Sequence, residues 1–185
     1  MNEHYKQVHN VALVYESLEF ASKQKFDEWR IEIQRNTASQ FAVRMVWKSS
    51  TGCNWRMQCH RTGKQPEEKD CRERFQKLSG SKKLNGFCPA EIVLHENSED
   101  KTCRAVIQKT HVGHSNNSCE ELKFLSLDKI EKSDIAAKLS VGVPINTILM
   151  NYQSSTAGQQ LERNEIINYD DIANIAAALG LNTKY

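Results

Sequence analysis

A chain of 185 residues, 39% hydrophobic and 26% charged with a formal net charge of +2, is long enough for one or two domains with a buried core. No run approaches the ~20 apolar residues of a membrane span, and the amino terminus reads without the basic-then-apolar order of a secretory signal. Six cysteines without an export signal predict a reducing compartment, where thiols bind metal or pack rather than form disulfides.

Residues 1–17 carry no clear pattern and stay unassigned. From Ser22 the chain predicts an amphipathic helix to Ile33, with Ser22 as cap and Phe26, Trp29 and Ile33 on one face. Phe41 to Lys48 alternates and is rich in strand formers, Ser49 to Gly52 supplies a turn, and Trp55 to Cys59 returns as a second strand. Arg61 to Lys83 is polar and punctuated by Gly63, Pro66 and Gly80, which predicts a long loop. Ala90 to Leu94 and Cys103 to Ile107 read as two further strands joined by the turn-rich stretch from Glu96 to Lys101. The fold class expected is α+β: a four-stranded antiparallel sheet preceded by one helix and followed by a helical segment.

After the polar stretch 115–118, a hinge or short linker, the character changes. Ser126 to Leu139 has isoleucine and leucine spaced for one face, Gly142-Val-Pro144 ends it, and Ile145 to Tyr152 starts another helix, a helix-turn-helix-like order. Ser154 to Gln160 reads as a linker. A last helix from Tyr169 to Leu179 is capped by Asn168, with Asp170 and Asp171 complementing the positive end of its dipole. The expected domains are a zinc-stapled unit at 18–116 and a helical segment at 117–185.

Metal chemistry is written in the spacing of Cys59, Cys88, His111 and His114, C-x28-C-x22-H-x2-H. Two thiolates and two imidazoles make a closed tetrahedral shell for one structural Zn²⁺, with no position left open for catalysis. Cys53, six positions before Cys59, is the alternative first ligand, and Cys71, Cys103 and Cys119 are spares. Gly113 is placed to supply the unusual backbone angles that bring both imidazoles to one ion.

Charge is concentrated where these ligands lie. Between residues 40 and 90 there are eleven Lys or Arg against four acids, a balance of +7 that leaves −5 for the rest. Such a block predicts a surface for nucleic acid. Lys69, Arg72, Arg74 and Lys77 are interleaved with acids and read as a solvated loop. Arg44 and Lys48 share strand parity with Val46 and can emerge from one face. Arg56 and Arg61 flank Cys59, while Lys82 and Lys83 precede Cys88; these four suit phosphate contacts.

Several ordered stretches carry a family resemblance: Phe26-Asp-Glu-Trp29, Cys59-His-Arg-Thr-Gly63, Gly86-Phe-Cys88-Pro-Ala90 and Thr110-His-Val-Gly-His114. Downstream, Ile135-Ala-Ala-Lys-Leu139 with Gly142-Val-Pro144 and Ile148-Leu149, then Asp171-Ile-Ala-Asn174-Ile175, extend it to roughly 18–181. The chain resembles the amino-terminal region of Mutator-like element transposases and of host proteins descended from them. Their DNA-binding module belongs with the WRKY, glial-cells-missing, FLYWCH and far-red-impaired-response zinc domains. The resemblance implies a zinc ion on Cys59, Cys88, His111 and His114, a sheet edge presented to double-stranded DNA, a transcription-regulatory role and a nuclear location. The strand of Arg44 and Lys48 looks like the recognition strand of the WRKY relatives. Many members have one residue between the last two histidines; here there are two.

In transposases of this group an RNase H-like domain with three acidic residues would follow, and 185 residues leave no room for it after the zinc unit and its helices. With no Ser-His-Asp set, phosphate loop or HExxH pattern either, the expectation is a binding protein with no catalytic residues. The rival expectation is a zinc-stabilised adaptor that uses residues 126–152 for a protein partner or for self-association. No membrane partner is expected.

Overall fold

The computed structural model describes residues 2–64, 82–115, 119–153 and 163–181. It is an α+β fold that divides into two compact units, Met1–Ser118 and Cys119–Tyr185. Most of the polar loop (65–81), residues 116–118 of the expected hinge and the expected linker at 154–160 lie outside the described residues. Among the described residues, no helix is long and apolar enough to cross a membrane.

The first unit holds α1 (Asn2–His9), β1 (Tyr15–Phe20), α2 (Lys23–Asn36), β2 (Phe41–Ser49), β3 (Gly52–Cys59), β4 (Glu91–Asn97) and β5 (Cys103–Gln108). The strands form one antiparallel sheet in the order β1-β5-β4-β3-β2. The sheet has five strands rather than the four expected. The extra strand is β1, which begins at Tyr15, inside the segment left unassigned, and pairs with β5 from Tyr15↔Gln108 to Phe20↔Cys103. Its six residues alternate between sheet faces, but its partner lies some 80 to 90 residues downstream. Local pattern cannot show such a pairing.

One face of the sheet makes the core. Met57, Ile92 and Ile107 stand in cross-strand register, as do Trp55, Leu94 and Ala105. Phe26 of α2, fully buried, closes that face together with Phe41, Cys59, Cys88 and Cys103. The rings of Phe20, Phe26 and Trp29 meet at centroid distances of 5.4 to 5.8 Å, which joins β1 and α2. Ser22 caps α2, as its position predicts, by accepting from the Lys25 amide.

The β2–β3 hairpin turns tightly at Ser49↔Gly52. A Cβ on Gly52 would lie 1.8 Å from the Glu96 carbonyl oxygen, so β4 can approach only a glycine there. β2 also carries a bulge: Val43 pairs with Met57 and Met45 with Arg56, and Arg44 has no register partner. This corrects the parity expectation. Val46 and Lys48 stand opposite Trp55 and Cys53 and share one face, but the bulge removes Arg44 from that alternation.

In the second unit, α3 (Cys119–Leu122) is followed by α4 (Lys129–Ser140), α5 (Ile145–Gln153), a 3-10 turn (Arg163–Ile166) and α6 (Tyr169–Ala178). Capping boxes start α4 (Asp128 with Glu131) and α6 (Asn168 with Asp171). The core is Leu127, Ile135, Leu139, Ile148, Ile167, Ile172 and Ala176. Ile130, expected on the same apolar face, is instead 75% exposed. At 3.6 residues per turn it sits about 140° around α4 from Ile135 and misses the stripe that Ile135 makes with Leu139. Asp171 does more than complement a dipole, because it also pairs with Arg163 at 2.8 Å.

Candidate metal centre

Sheet ends supply the donors. Cys59 is the last residue of β3, and its amide donates to the Ala90 carbonyl at 3.0 Å. Cys88 lies three residues before β4, and its backbone is held on both sides by Thr62. The Cys88 amide donates to Thr62 Oγ1, and that hydroxyl donates to the Cys88 carbonyl, both at 3.1 Å. His111 and His114 follow β5, and between them Gly113 has φ of 83°. That angle favours glycine and lets the chain reverse so that both rings reach one point.

One donor atom from each of Cys59, Cys88, His111 and His114 lies within 4.8 Å of every other, with both cysteines buried and both histidines half-buried. Cys59 Sγ is 3.3 Å from His114 Nε2, Cys88 Sγ is 3.5 Å from His111 Nδ1, and the two ring nitrogens are 3.1 Å apart. Around a tetrahedral ion with Zn–S of about 2.3 Å and Zn–N of about 2.0–2.1 Å, sulfur–nitrogen edges are about 3.6 Å and nitrogen–nitrogen edges about 3.3 Å. These three donor–donor distances lie within about 0.3 Å of the edges that such an ion requires. His114 Nδ1 is 3.0 Å from the Ser115 carbonyl, a contact that places the proton on Nδ1 and leaves Nε2 as lone-pair donor. This group can hold a metal ion, and its four donors would fill a tetrahedral shell.

Electrostatics within the cluster point the same way. The hydrogen bond to Cys88, reinforced by burial, pushes the Cys59 thiol well above the ordinary range. The same bond, helped by His111 and His114, pulls Cys88 far down. Tyr5 of α1 is buried, and burial followed by the charge of Cys88 raises its phenol.

Cys53 is not in this group. It stands on β3 opposite Lys48 and Glu96, six residues from Cys59, or about 20 Å along a strand. Cys103 is buried in the sheet core. Cys71 and the side chain of Cys119 lie outside the described residues.

Four of the six expected DNA contacts gather beside the Cys59-His-Arg-Thr-Gly63 turn. Arg44 Nη2 donates to the Thr62 carbonyl at 3.3 Å, and Lys83 Nζ donates to the carbonyls of Thr62 and His60 at 2.9 and 2.8 Å. Lys82 Nζ reaches Gln40 Oε1 at 3.4 Å. Arg61 is 8% exposed and gives Nη1 to the Lys82 carbonyl at 2.8 Å, so it braces the turn. Burial and then the neighbouring Arg44 charge push Lys83 below its ordinary value. The other two lie apart. Lys48 is exposed near the far end of β2, and Arg56 gives Nε and Nη2 to Glu91 at 2.9 and 2.8 Å. The cations at 69, 72, 74 and 77 lie outside the described residues.

Two residues of the turn have roles that the linear motif does not reveal. Thr62 is the brace just described. His60 is 3% exposed, its Nδ1 lies 3.0 Å from the Gln40 carbonyl, and burial, opposed by that bond, pushes it down to about 3. It is a neutral buried imidazole and belongs to the frame, outside the donor set.

Comparison with known protein families, with curated proteins and with solved structures finds no match in any of the three.

Proposed function

We propose that the chain is a zinc-dependent, sequence-specific binding module for double-stranded DNA, of the Mutator-transposase-derived kind and without catalytic function of its own. The observation that carries this reading is the gathering of Arg44, Lys82 and Lys83 beside the turn that also bears the donor Cys59 and that the buried Arg61 braces. Soft thiolates with imidazoles select zinc over hard cations, and a four-donor shell is structural. Residues 119–185 contain six Lys or Arg against nine Asp or Glu, a net of −3 that leaves +5 for residues 1–118. A polyanion is drawn to the first unit.

The edge strand β2 supports the same reading. It exposes Val43, Met45 and Val46 at 50 to 56%, yet it carries a bulge and two cations. Bulges and cations discourage another strand from adding to an edge, whereas cations and apolar side chains on a short strand suit the major groove, where bases present amino groups, carbonyls, purine N7 and thymine methyls. A nuclear location follows from this role.

Selection of bound sequences from random duplexes, with and without a zinc chelator, tests the proposal. An enriched motif that disappears with chelator supports it; no duplex binding at low salt by the zinc-loaded chain overturns it. The second reading, an adaptor, is favoured by the exposed Ile130, Val141 and Met150 (75, 80 and 68%) on the acidic helical unit. Apolar partner binding would survive added salt, whereas phosphate-driven binding weakens steeply as counterions are released.

A further inference from the structure

We propose that Thr62 couples the metal shell to a phosphate-seating pair of cations, Arg44 and Lys83, so that metal loading and affinity for backbone phosphate rise and fall together. The proposal rests on the DNA reading above.

Thr62 is attached to both cysteines. Its amide donates to the Cys59 carbonyl at 3.0 Å, and its buried hydroxyl binds the amide and carbonyl of Cys88, both at 3.1 Å. Fixing the backbone on either side of two thiolates fixes where the sulfurs point, the task that outer-shell groups perform around metals. The same residue's carbonyl faces the cations. Arg44 Nη2 and Lys83 Nζ both donate to it, and Lys83 also takes the His60 carbonyl.

Arg44 comes from the bulge of β2 and Lys83 from the segment before β4, 39 residues later. The carbonyl of Thr62 is the acceptor they share. Two like charges donating to one neutral oxygen repel each other. A phosphate oxygen placed against both relieves that repulsion and forms charge-assisted hydrogen bonds. If the metal leaves, the turn loses its anchor, the shared acceptor shifts, and the pair separates. Linkage then requires the reverse effect: a bound polyanion must slow metal loss.

The experiment uses the full zinc-loaded chain with Thr62→Val, which keeps shape but loses the hydroxyl, and Thr62→Ser, which restores it. Zinc release to a chromogenic chelator should be about tenfold faster for Thr62→Val and near wild type for Thr62→Ser. At saturating zinc, the slope of log affinity against log salt for random duplex should be shallower in Thr62→Val by about one to two, one per lost phosphate contact. A heparin oligosaccharide or duplex should slow zinc release from the wild type but not from the Arg44→Gln, Lys83→Gln double variant. That double variant carries the test alone should Thr62→Val not fold. Wild-type zinc release by Thr62→Val, or weaker binding with an unchanged slope, overturns the coupling and leaves the DNA reading standing. Heparin slowing zinc release while duplex neither binds nor slows it overturns the DNA reading and keeps the coupling. No effect of either polyanion overturns both.

Discussion

Arg163 and Asp171 meet at 2.8 Å within the helical unit, with side chains only 10% and 22% exposed. Arg163 also donates to the carbonyls of Leu125 at 2.8 Å and Ile166 at 3.3 Å, and Asp171 closes the capping box of α6. One ion pair thus ties the segment before α4, the 3-10 turn and the start of α6. Asp171→Asn should cost about 2–4 kcal/mol, below the full cost of breaking a wholly buried pair. Asp170→Asn, which loses only a dipole contribution, should cost about 0.3–1 kcal/mol. Thermal or urea unfolding of the two variants measures the difference, and equal small losses would remove Arg163 from this role.

Native mass spectrometry should find one Zn²⁺ per chain. Cys88→Ser or His114→Ala should lose it, and Cys53→Ser should keep it, because Cys53 stands about 20 Å along β3 from Cys59 and is outside the donor group. A metal-free preparation with an unchanged cooperative melt would contradict a structural role, since structural zinc contributes folding energy.

Zinc loading near pH 7.5 should release about one proton. The bond between the thiols pulls Cys88 down and, with burial, pushes Cys59 up, so loading displaces the proton that Cys59 holds more tightly. The sign follows: raising pH favours loading, and lowering pH drives zinc out as the donors reprotonate. Calorimetry in buffers of different ionisation enthalpy counts the protons. A count near zero or near two would mean that the two thiols do not differ in this way before loading.

Gly113→Ala isolates backbone strain. A Cβ there would meet only Leu84 Cδ1 at 3.7 Å, an ordinary contact, but φ of 83° is disfavoured for alanine. The expected cost is about 1–2 kcal/mol, read as a zinc affinity lower by roughly five- to thirtyfold. Unchanged affinity would show that the two histidines reach the ion without this turn.

Arg44 and Arg56 should separate in a binding assay although both are arginines of the β2–β3 hairpin. Arg44→Ala should weaken binding to all duplexes alike and lower the salt slope by about one. Arg56 is committed to Glu91, so Arg56→Ala should lower stability more than it lowers DNA affinity. Equal losses of affinity would place Arg56 on the DNA as well.

Helix starts and most of the donor set were legible in the linear chain because their causes are local. Ser22 and Asn168 cap the helices that follow within a few residues, and Gly113 lies between the two histidines that it lets turn. With six cysteines and six histidines the order left Cys53 open as the first ligand, and the fold, which brings Cys59 to the group, decided between them. The β2–β3 hairpin was visible too, since its partners are joined by two residues, Ser50 and Thr51.

Tertiary structure alone decided the rest. β1 became a strand because β5, some 80 to 90 residues away, offered it an edge, and Arg44 left the alternation of β2 because a bulge formed against β3. Arg56 was claimed by Glu91 across 35 residues, and Lys83 by carbonyls more than twenty residues earlier. Cationic side chains have many partners in reach once a chain is compact, and composition records their charge but not which acceptor lies nearest. The sequence determined that metal donors and cations occupy the same stretch of chain; folding determined that Thr62 stands between them, bound to Cys88 on one side and to Arg44 and Lys83 on the other.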